Sequence, residues 1–126
     1  MSRKLALVDD EKDIREILRH AIELTRKWTV VEASDGAQGL DLIRRELPDA
    51  ILLDVMMPRM DGREVFRSIL KDPLISSIPV IFLTASLQKH DIRALQELGP
   101  VAILEKPFDP IGIVSEISRL LGWDSD

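Results

Sequence analysis

The feature that most constrains the fold of this chain is a regular alternation between short apolar runs and longer segments with helical periodicity. Most of the apolar runs are continuous, which is typical of strands covered on both faces. They are KLALV (4–8), TVVEA (29–33), AILLD (50–54), PVIFLT (79–84) and VAIL (101–104). We therefore predict five βα units, which form a parallel α/β sheet with right-handed crossovers and with helices on both faces.

The segments between the runs carry apolar residues at spacings of three and four, as helices that pack on a sheet do. The clearest face follows the first strand and contains Ile14, Ile17, Leu18, Ala21 and Ile22. The second predicted helix repeats the pattern with Ala37, Leu40, Ile43 and Leu47. Asp61 fits the N-cap of the third helix, and Asp109 with Pro110 fits the N-cap and first position of the last.

The length of the chain, 126 residues, fits one compact domain. We place this domain at residues 1–122 and interpret residues 123–126 as a short C-terminal tail. Trp28 and Trp123 are interpreted as partly buried residues of the core. On this division we expect no DNA-binding or catalytic output domain after this unit, and we expect a stand-alone protein.

Composition excludes several classes of function. The chain has no cysteine, which excludes disulfides, thiolate metal sites and cysteine nucleophiles. Its net charge of -5 argues against direct nucleic-acid binding, because phosphates require a basic surface. No apolar run approaches the roughly 20 residues that span a bilayer, and the N-terminus turns acidic too early for a signal peptide. We expect a cytoplasmic protein without membrane contact.

Polar side chains follow four of the five predicted strands. Asp9 and Asp10 follow the first, Asp54 ends the third, Thr84 ends the fourth and Lys106 follows the fifth. Function in open parallel sheets gathers at the carboxyl ends of the strands, where these side chains converge. The sequence therefore predicts a site at this edge of the sheet.

The three aspartates indicate a metal, because carboxylates a few ångströms apart do not all stay ionised without a cation. Oxygen ligands alone favour Mg²⁺, which commonly meets a phosphate. Lys106 then provides a charge, and Thr84 a hydroxyl, for phosphoryl oxygens. Asp54 is either a ligand only or also a nucleophile that takes a phosphoryl group.

Each of these residues also has a simpler interpretation. Asp10 fits the N-cap of the first helix, with Asp13 favourable to the helix dipole. Asp54, Thr84 and Lys106, each taken alone, fit ordinary strand ends or solvated positions. These interpretations do not explain why acids and a base converge on one edge, and we favour the phosphate and metal site.

Four motifs, LVDDE, LLDVMMPRMDG, IFLTA and LEKPFD, resemble in their order and spacing the receiver domain of two-component response regulators. The resemblance covers essentially the whole chain and is closest to stand-alone receivers of the chemotaxis type. It implies a doubly wound flavodoxin-like (βα)5 fold with strand order 2-1-3-4-5. It further implies a signalling switch that assists its own phosphorylation and dephosphorylation, rather than a classical enzyme.

The resemblance assigns a role to each site residue. Asp54 corresponds to the phosphoacceptor, and Asp10 to a direct Mg²⁺ ligand with Asp9 nearby or acting through water. The backbone carbonyl of Met56 completes the protein's share of the metal ligands. Thr84 corresponds to the switch hydroxyl, and Lys106 to the cation that pairs with the acyl phosphate. A cis peptide bond is expected between Lys106 and Pro107.

The sequence departs from the family at Ile103, where the family often has an aromatic residue whose rotamer follows the threonine. An aliphatic side chain has less reach and no hydroxyl, so that the sequence alone does not establish the usual coupling of this residue to the threonine. Met56 and Ser86 stand where the family tunes hydrolysis of the phosphate. An apolar Met56 positions attacking water poorly, which favours a longer-lived phosphoryl group.

The leading hypothesis is a receiver of a two-component or phosphorelay system that takes its phosphoryl group from a histidine kinase or a histidine phosphotransfer protein. Its output surface is expected on the fourth helix, fifth strand and fifth helix, in a monomer or a weak phosphorylation-dependent dimer. A phosphate-independent interaction module is the alternative. An enzyme or nucleotide-binding flavodoxin-like protein requires a Gly- or Ser/Thr-rich phosphate loop after the first strand, whereas DDEKD would repel the phosphate. Phosphatases that form an aspartyl phosphate carry a second Asp where this chain has Met56.

Overall fold

The computed structural model describes residues 2–85 and 88–123, in which five strands alternate with five helices. The strands are β1 (Lys4–Val8), β2 (Thr29–Ala33), β3 (Ala50–Asp54), β4 (Val80–Thr84) and β5 (Ala102–Glu105). The helices are α1 (Lys12–Thr25), α2 (Gly36–Glu46), α3 (Gly62–Lys71), α4 (Lys89–Glu97) and α5 (Pro110–Leu121). Five βα units were predicted, and this prediction is confirmed.

All strand pairs are parallel, and the order of the strands is β2-β1-β3-β4-β5. The fold class and the strand order predicted from the sequence are both confirmed. The order reverses at β1, because β2 lies on one side of it and β3 on the other. This reversal opens a crevice at the carboxyl ends of β1 and β3, where doubly wound sheets hold their functional groups.

The continuous apolar runs reflect a sheet that is covered on both faces. Every residue of β3 and β4 is buried, and the side chains of the sheet divide between two apolar clusters. One cluster joins the sheet to α2 and α3, with Phe66 and Phe82 in an edge-to-face contact. The other joins it to α1 and α5. Two-sided burial fixes the sheet as a rigid support for the polar groups at its edge.

Helix starts largely follow the predicted capping. The Asp61 carboxylate accepts hydrogen bonds from the first-turn amides of α3, and Asp109 accepts one from the Gly112 amide in α5. The N-cap interpretation of Asp10 is wrong, because Glu11 occupies the N-cap position of α1 without a side-chain cap bond. Asp10 therefore does not cap α1, and its carboxylate is exposed just after the end of β1.

Three residues of the predicted apolar faces are exposed instead. Ile17 on α1 and Ala37 on α2 lie at exposed positions, and Leu47 is 51% exposed. Leu47 is the C-cap of α2, where the backbone adopts a left-handed conformation with φ of 46°. The helical spacing ends at this residue, so that its side chain leaves the buried face. Leu42, which the predicted face omitted, is buried instead.

The packed part of the chain includes Trp123, although the predicted C-terminal tail begins at this residue. Its ring meets that of Trp28 edge to face, with centroids 5.0 Å apart, and both side chains are buried. The contact joins the end of α5 to the turn before β2. It lies at the amino-terminal edge of the sheet, opposite the carboxyl ends of the strands.

Among residues 2–85 and 88–123, no helix has the length and apolar character needed to cross a membrane. The cytoplasmic location stays a prediction.

Candidate functional site

The carboxyl ends of β1 and β3 bring three predicted site residues together. Carboxylate oxygens of Asp9, Asp10 and Asp54 lie within 4.8 Å of one another, and an oxygen of Glu11 belongs to the same group. Asp9 and Asp54 are buried, whereas Asp10 and Glu11 are exposed. The group is therefore half enclosed, with two acids fixed by the sheet and two open to solvent.

Asp54 is the deepest acid of the site, with 2% of its surface exposed. Its Oδ2 atom is buried and accepts no hydrogen bond from the described residues. The chain returns close to Asp54 at Gly62, where a β-carbon would lie 2.3 Å from the Asp54 carbonyl oxygen. Glycine is required there because any side chain would displace the end of β3 from the start of α3.

Burial and the negative charge of Asp9 raise the pKa of the Asp54 carboxyl to about 7, while the nearby Lys106 ammonium opposes this rise. A buried acid next to another acid holds its proton because its ionised form is poorly solvated and repelled. A cation near Asp9 and Asp54 would favour the ionised form, which is the nucleophilic form of a carboxylate.

Lys106 provides the positive charge of the site. Its Nζ atom lies 2.9 Å from Glu11 Oε1, 3.0 Å from Asp9 Oδ2 and 3.4 Å from Asp54 Oδ1. Burial alone would lower the pKa of Lys106, but hydrogen bonds to Glu11 and Asp9 and the charge of Asp54 outweigh it and raise the pKa above its ordinary value. The ammonium is therefore charged throughout the physiological range.

Backbone contacts fix Asp9 in place. Its Oδ1 atom accepts a hydrogen bond of 2.8 Å from the Glu11 amide, and its carbonyl accepts one of 2.7 Å from the Arg15 guanidinium. Arg15 is itself held by Glu32 of β2, at 3.2 Å. This chain of contacts ties the loop after β1 to α1 and β2, and it leaves Asp9 Oδ2 directed at Lys106.

Thr84 ends β4 beside Asp54 and is fully buried. Its carbonyl accepts a hydrogen bond of 2.9 Å from the Lys106 amide, which links the ends of β4 and β5. A cavity of about 180 Å³ adjoins Thr84 and is also lined by Met56 and Arg63. Met56 is 61% exposed, so that its side chain is largely open to solvent.

The peptide bond between Lys106 and Pro107 is cis, as the resemblance implied. Ile103 is half-buried on β5 and packs against the cluster that contains Phe82, its partner across the ladder. Ser86 lies outside the described residues. The metal-ligand role of the Met56 carbonyl and the switch role of Thr84 stay predictions.

Sequence reasoning missed two residues of the site, Glu11 and Arg15. Glu11 was grouped with the acids of the first motif but received no role. The sequence signal for Glu11 was the third carboxylate of LVDDE. An acid at the start of a helix gives the same pattern, because it interacts favourably with the helix dipole. Arg15 gave no signal, because an arginine on an amphipathic helix is usually solvated.

The donor set fits a hard divalent cation such as Mg²⁺. Such an ion accepts oxygen ligands and keeps several waters, and the exposed Asp10 leaves room for them. Asp54 Oδ2 is a buried oxygen whose hydrogen-bonding capacity is unmet, as a metal ligand in the absence of its ion would be. Asp9, Asp10 and Asp54 are the residues that would hold the ion.

Comparison with known proteins identifies the family of the chain. The family model for the response regulator receiver domain matches residues 5–118. A probable transcriptional regulator, ycf27, from Guillardia theta is 40% identical over 118 residues, which cover 94% of this chain and 45% of the relative. The chain spans about half the length of the curated relatives it matches.

Two solved structures show the same fold. The chemotaxis protein CheY4 of Vibrio cholerae superposes with a TM-score of 0.87 and 26% identity, covering 95% of this chain and 99% of that one. The phosphorylated cyanobacterial phytochrome response regulator RcpA superposes with a TM-score of 0.84 and 28% identity, covering 100% of this chain and 98% of that one.

Proposed function

The chain belongs to the response regulator receiver domain family, and we propose that its Asp54 accepts a phosphoryl group from a phosphohistidine donor. The observation that carries the proposal is the environment of Asp54: a buried carboxylate with an unpartnered oxygen, two further aspartates within 4.8 Å and a half-buried lysine at 3.4 Å. The pKa of Asp54 is about 7, so that a bound cation would readily convert this carboxyl group to its ionised, nucleophilic form. The solved structure of phosphorylated RcpA, at 28% identity, supports the same chemistry.

In the proposed transfer, a carboxylate oxygen of Asp54 attacks phosphorus and forms a P–O bond. The P–N bond to the donor histidine breaks, and its electron pair stays on the imidazole nitrogen, which then takes up a proton. The product is an acyl phosphate, a mixed anhydride. Lys106 lies where it can pair with a phosphoryl oxygen, since its ammonium is already 3.4 Å from Asp54 Oδ1.

Mg²⁺ held by Asp9, Asp10 and Asp54 would neutralise charge on the transferred group, which is the main requirement of phosphoryl transfer. The Met56 carbonyl is proposed as a further ligand. Without a metal ion, an incoming phosphate would meet a site of net negative charge, because four carboxylates lie near one ammonium. The protein's own part is to fix two of these acids by burial and to leave the other two accessible.

The consequence of phosphorylation is proposed to be a change of a protein-binding surface. Thr84 and Lys106 lie at the ends of β4 and β5, joined by a backbone hydrogen bond, so that new charge on Asp54 acts on both strands. The surface formed by α4, β5 and α5 is the proposed output face. A histidine kinase or a histidine phosphotransfer protein is the proposed donor, and the downstream protein partner is not specified by the site.

Intact-mass spectrometry after incubation with acetyl phosphate and Mg²⁺ tests this proposal. We expect one phosphoryl adduct that disappears with EDTA and in the Asp54→Asn variant. Asp41→Asn is the matched control, because Asp41 is an exposed aspartate of α2, and it should retain the adduct. If neither acetyl phosphate nor a panel of histidine kinases yields an adduct, and Mg²⁺ does not bind, the result contradicts the proposal and favours a phosphate-independent interaction module.

A further inference from the structure

The Lys106 ammonium has three N–H groups and three carboxylates around it. Glu11, Asp9 and Asp54 lie at 2.9, 3.0 and 3.4 Å from Nζ, so that the shortest of the three contacts is the one to Glu11. The side chains of Asp9 and Asp54 are buried, whereas that of Glu11 is 57% exposed. Glu11 therefore differs from the other two partners in being free to move into water.

A phosphoryl group on Asp54 needs one of these N–H groups, since Lys106 is the only cation within 4 Å of Asp54 among the described residues. Moving Asp9 away from Lys106 would break two further contacts. Its Oδ1 atom accepts a hydrogen bond from the Glu11 backbone amide, and its carbonyl accepts one from the Arg15 guanidinium. Glu11 loses only one partially exposed ion pair when it leaves, and such pairs contribute little to stability.

We infer that Glu11 is a positioning residue that holds Lys106 in the unphosphorylated state and must release it when Asp54 is phosphorylated. This inference rests on the proposed phosphoacceptor function. Glu11 keeps the ammonium bound at the mouth of the site and adds a negative charge on the side from which a phosphoryl donor arrives. Both effects oppose the reaction, so that Glu11 slows phosphorylation and favours the resting state.

Two substitutions separate the direct contact from the charge. Glu11→Gln removes the charge and weakens the pair, whereas Glu11→Asp keeps the charge but shortens the side chain by one methylene group. At saturating Mg²⁺ and low ionic strength, we expect both variants to form the acetyl phosphate adduct about three- to tenfold faster than the unsubstituted protein. Asp13→Asn is the matched control, since Asp13 is an exposed acid in the same helical turn, and its rate should be unchanged.

The rates give a clear decision. Faster reaction in both variants supports holding by direct contact. Unchanged or slower reaction in both overturns the inference, and so does acceleration confined to Glu11→Gln, because that result assigns the effect to charge alone.

A second measurement needs no phosphoryl group. The NMR signal of the Lys106 side-chain amine should shift in both Glu11 variants and stay in place in Asp13→Asn, in protein without Mg²⁺. An unshifted signal in the Glu11 variants overturns the inference. If the unsubstituted protein forms no adduct with any donor, the proposed function fails, while this NMR comparison still decides whether Glu11 holds Lys106.

Discussion

Lys106 Nζ lies 3.4 Å from Asp54 Oδ1, although strand β4 separates β3, which ends at Asp54, from β5, which precedes Lys106. The same ammonium lies 3.0 Å from Asp9 at the end of β1. Neighbouring strands are about 4.8 Å apart, so that a long side chain is needed to cross β4. The Lys106 cation therefore compensates acids at the ends of β1 and β3, neither of which is adjacent to β5 in the sheet.

Replacing this cation should destabilise the protein. We expect Lys106→Met to lower the free energy of unfolding at pH 7.5 by about 2 to 4 kcal/mol, because it leaves buried carboxylates without a partner. The loss should shrink below pH 4, where carboxylates take up protons. Urea unfolding at the two pH values measures it. Lys71→Met, at an exposed position of α3, is the control and should have little effect.

The raised pKa of Asp54 predicts that this residue lowers the free energy of unfolding by an amount that depends on pH. In the unfolded chain an aspartate titrates near 3.8, whereas in the native protein Asp54 titrates near 7. Between these values the native state binds more protons than the unfolded state, so that this contribution to stability falls as the pH rises. Above pH 7 the full cost of the buried charge is present.

Asp54→Asn removes that cost because asparagine does not titrate. Without Mg²⁺, we expect the variant to match the unsubstituted protein at pH 4 and to exceed it above pH 7 by about 2 to 4 kcal/mol, since a tenfold change in proton affinity corresponds to about 1.4 kcal/mol. Denaturant unfolding across this pH range provides the measurement. A constant difference at all pH values would show that Asp54 is not the titrating group.

Mg²⁺ should stabilise the native state through the same acids. At a concentration tenfold above its dissociation constant, we expect it to raise the free energy of unfolding by about 1.4 kcal/mol. Asp10→Asn should abolish most of this gain, because it removes an exposed proposed ligand that caps no helix. Unfolding with MgCl₂ and with NaCl of equal ionic strength distinguishes binding from screening. An equal gain in both salts contradicts a specific site.

The elements of the fold were predictable from local sequence, whereas parts of the site were not. β1, β2 and β3 have their predicted bounds. Leu47 was misplaced because the spacing of apolar residues does not mark the point where a helix ends. The role of Glu11 depends on Lys106, which lies 95 positions away, and only the folded sheet brings the two together.

Leu47 provides a test of backbone strain. A leucine with φ of 46° adopts a conformation that glycine occupies without a steric penalty. We expect Leu47→Gly to stabilise the protein by about 0.5 to 1 kcal/mol. Leu70→Gly is the matched control, because Leu70 is a similarly exposed leucine, at 48%, within α3. It should destabilise the protein by about 1 kcal/mol, so that the two substitutions differ in sign in thermal unfolding.

The contact between Trp28 and Trp123 predicts that the end of α5 contributes to global stability. Trp123→Ala should lower the free energy of unfolding by about 3 kcal/mol, because it removes a large buried ring and leaves a cavity. The edge-to-face geometry adds a specific pair energy, and a double-mutant cycle with Trp28→Ala should give a coupling of about 1 kcal/mol. Strictly additive losses would mean that each ring packs independently on the sheet. The site should be unaffected, since these rings lie at the opposite edge of the sheet, and Mg²⁺ affinity in folded Trp123→Ala is the measurement that checks this separation.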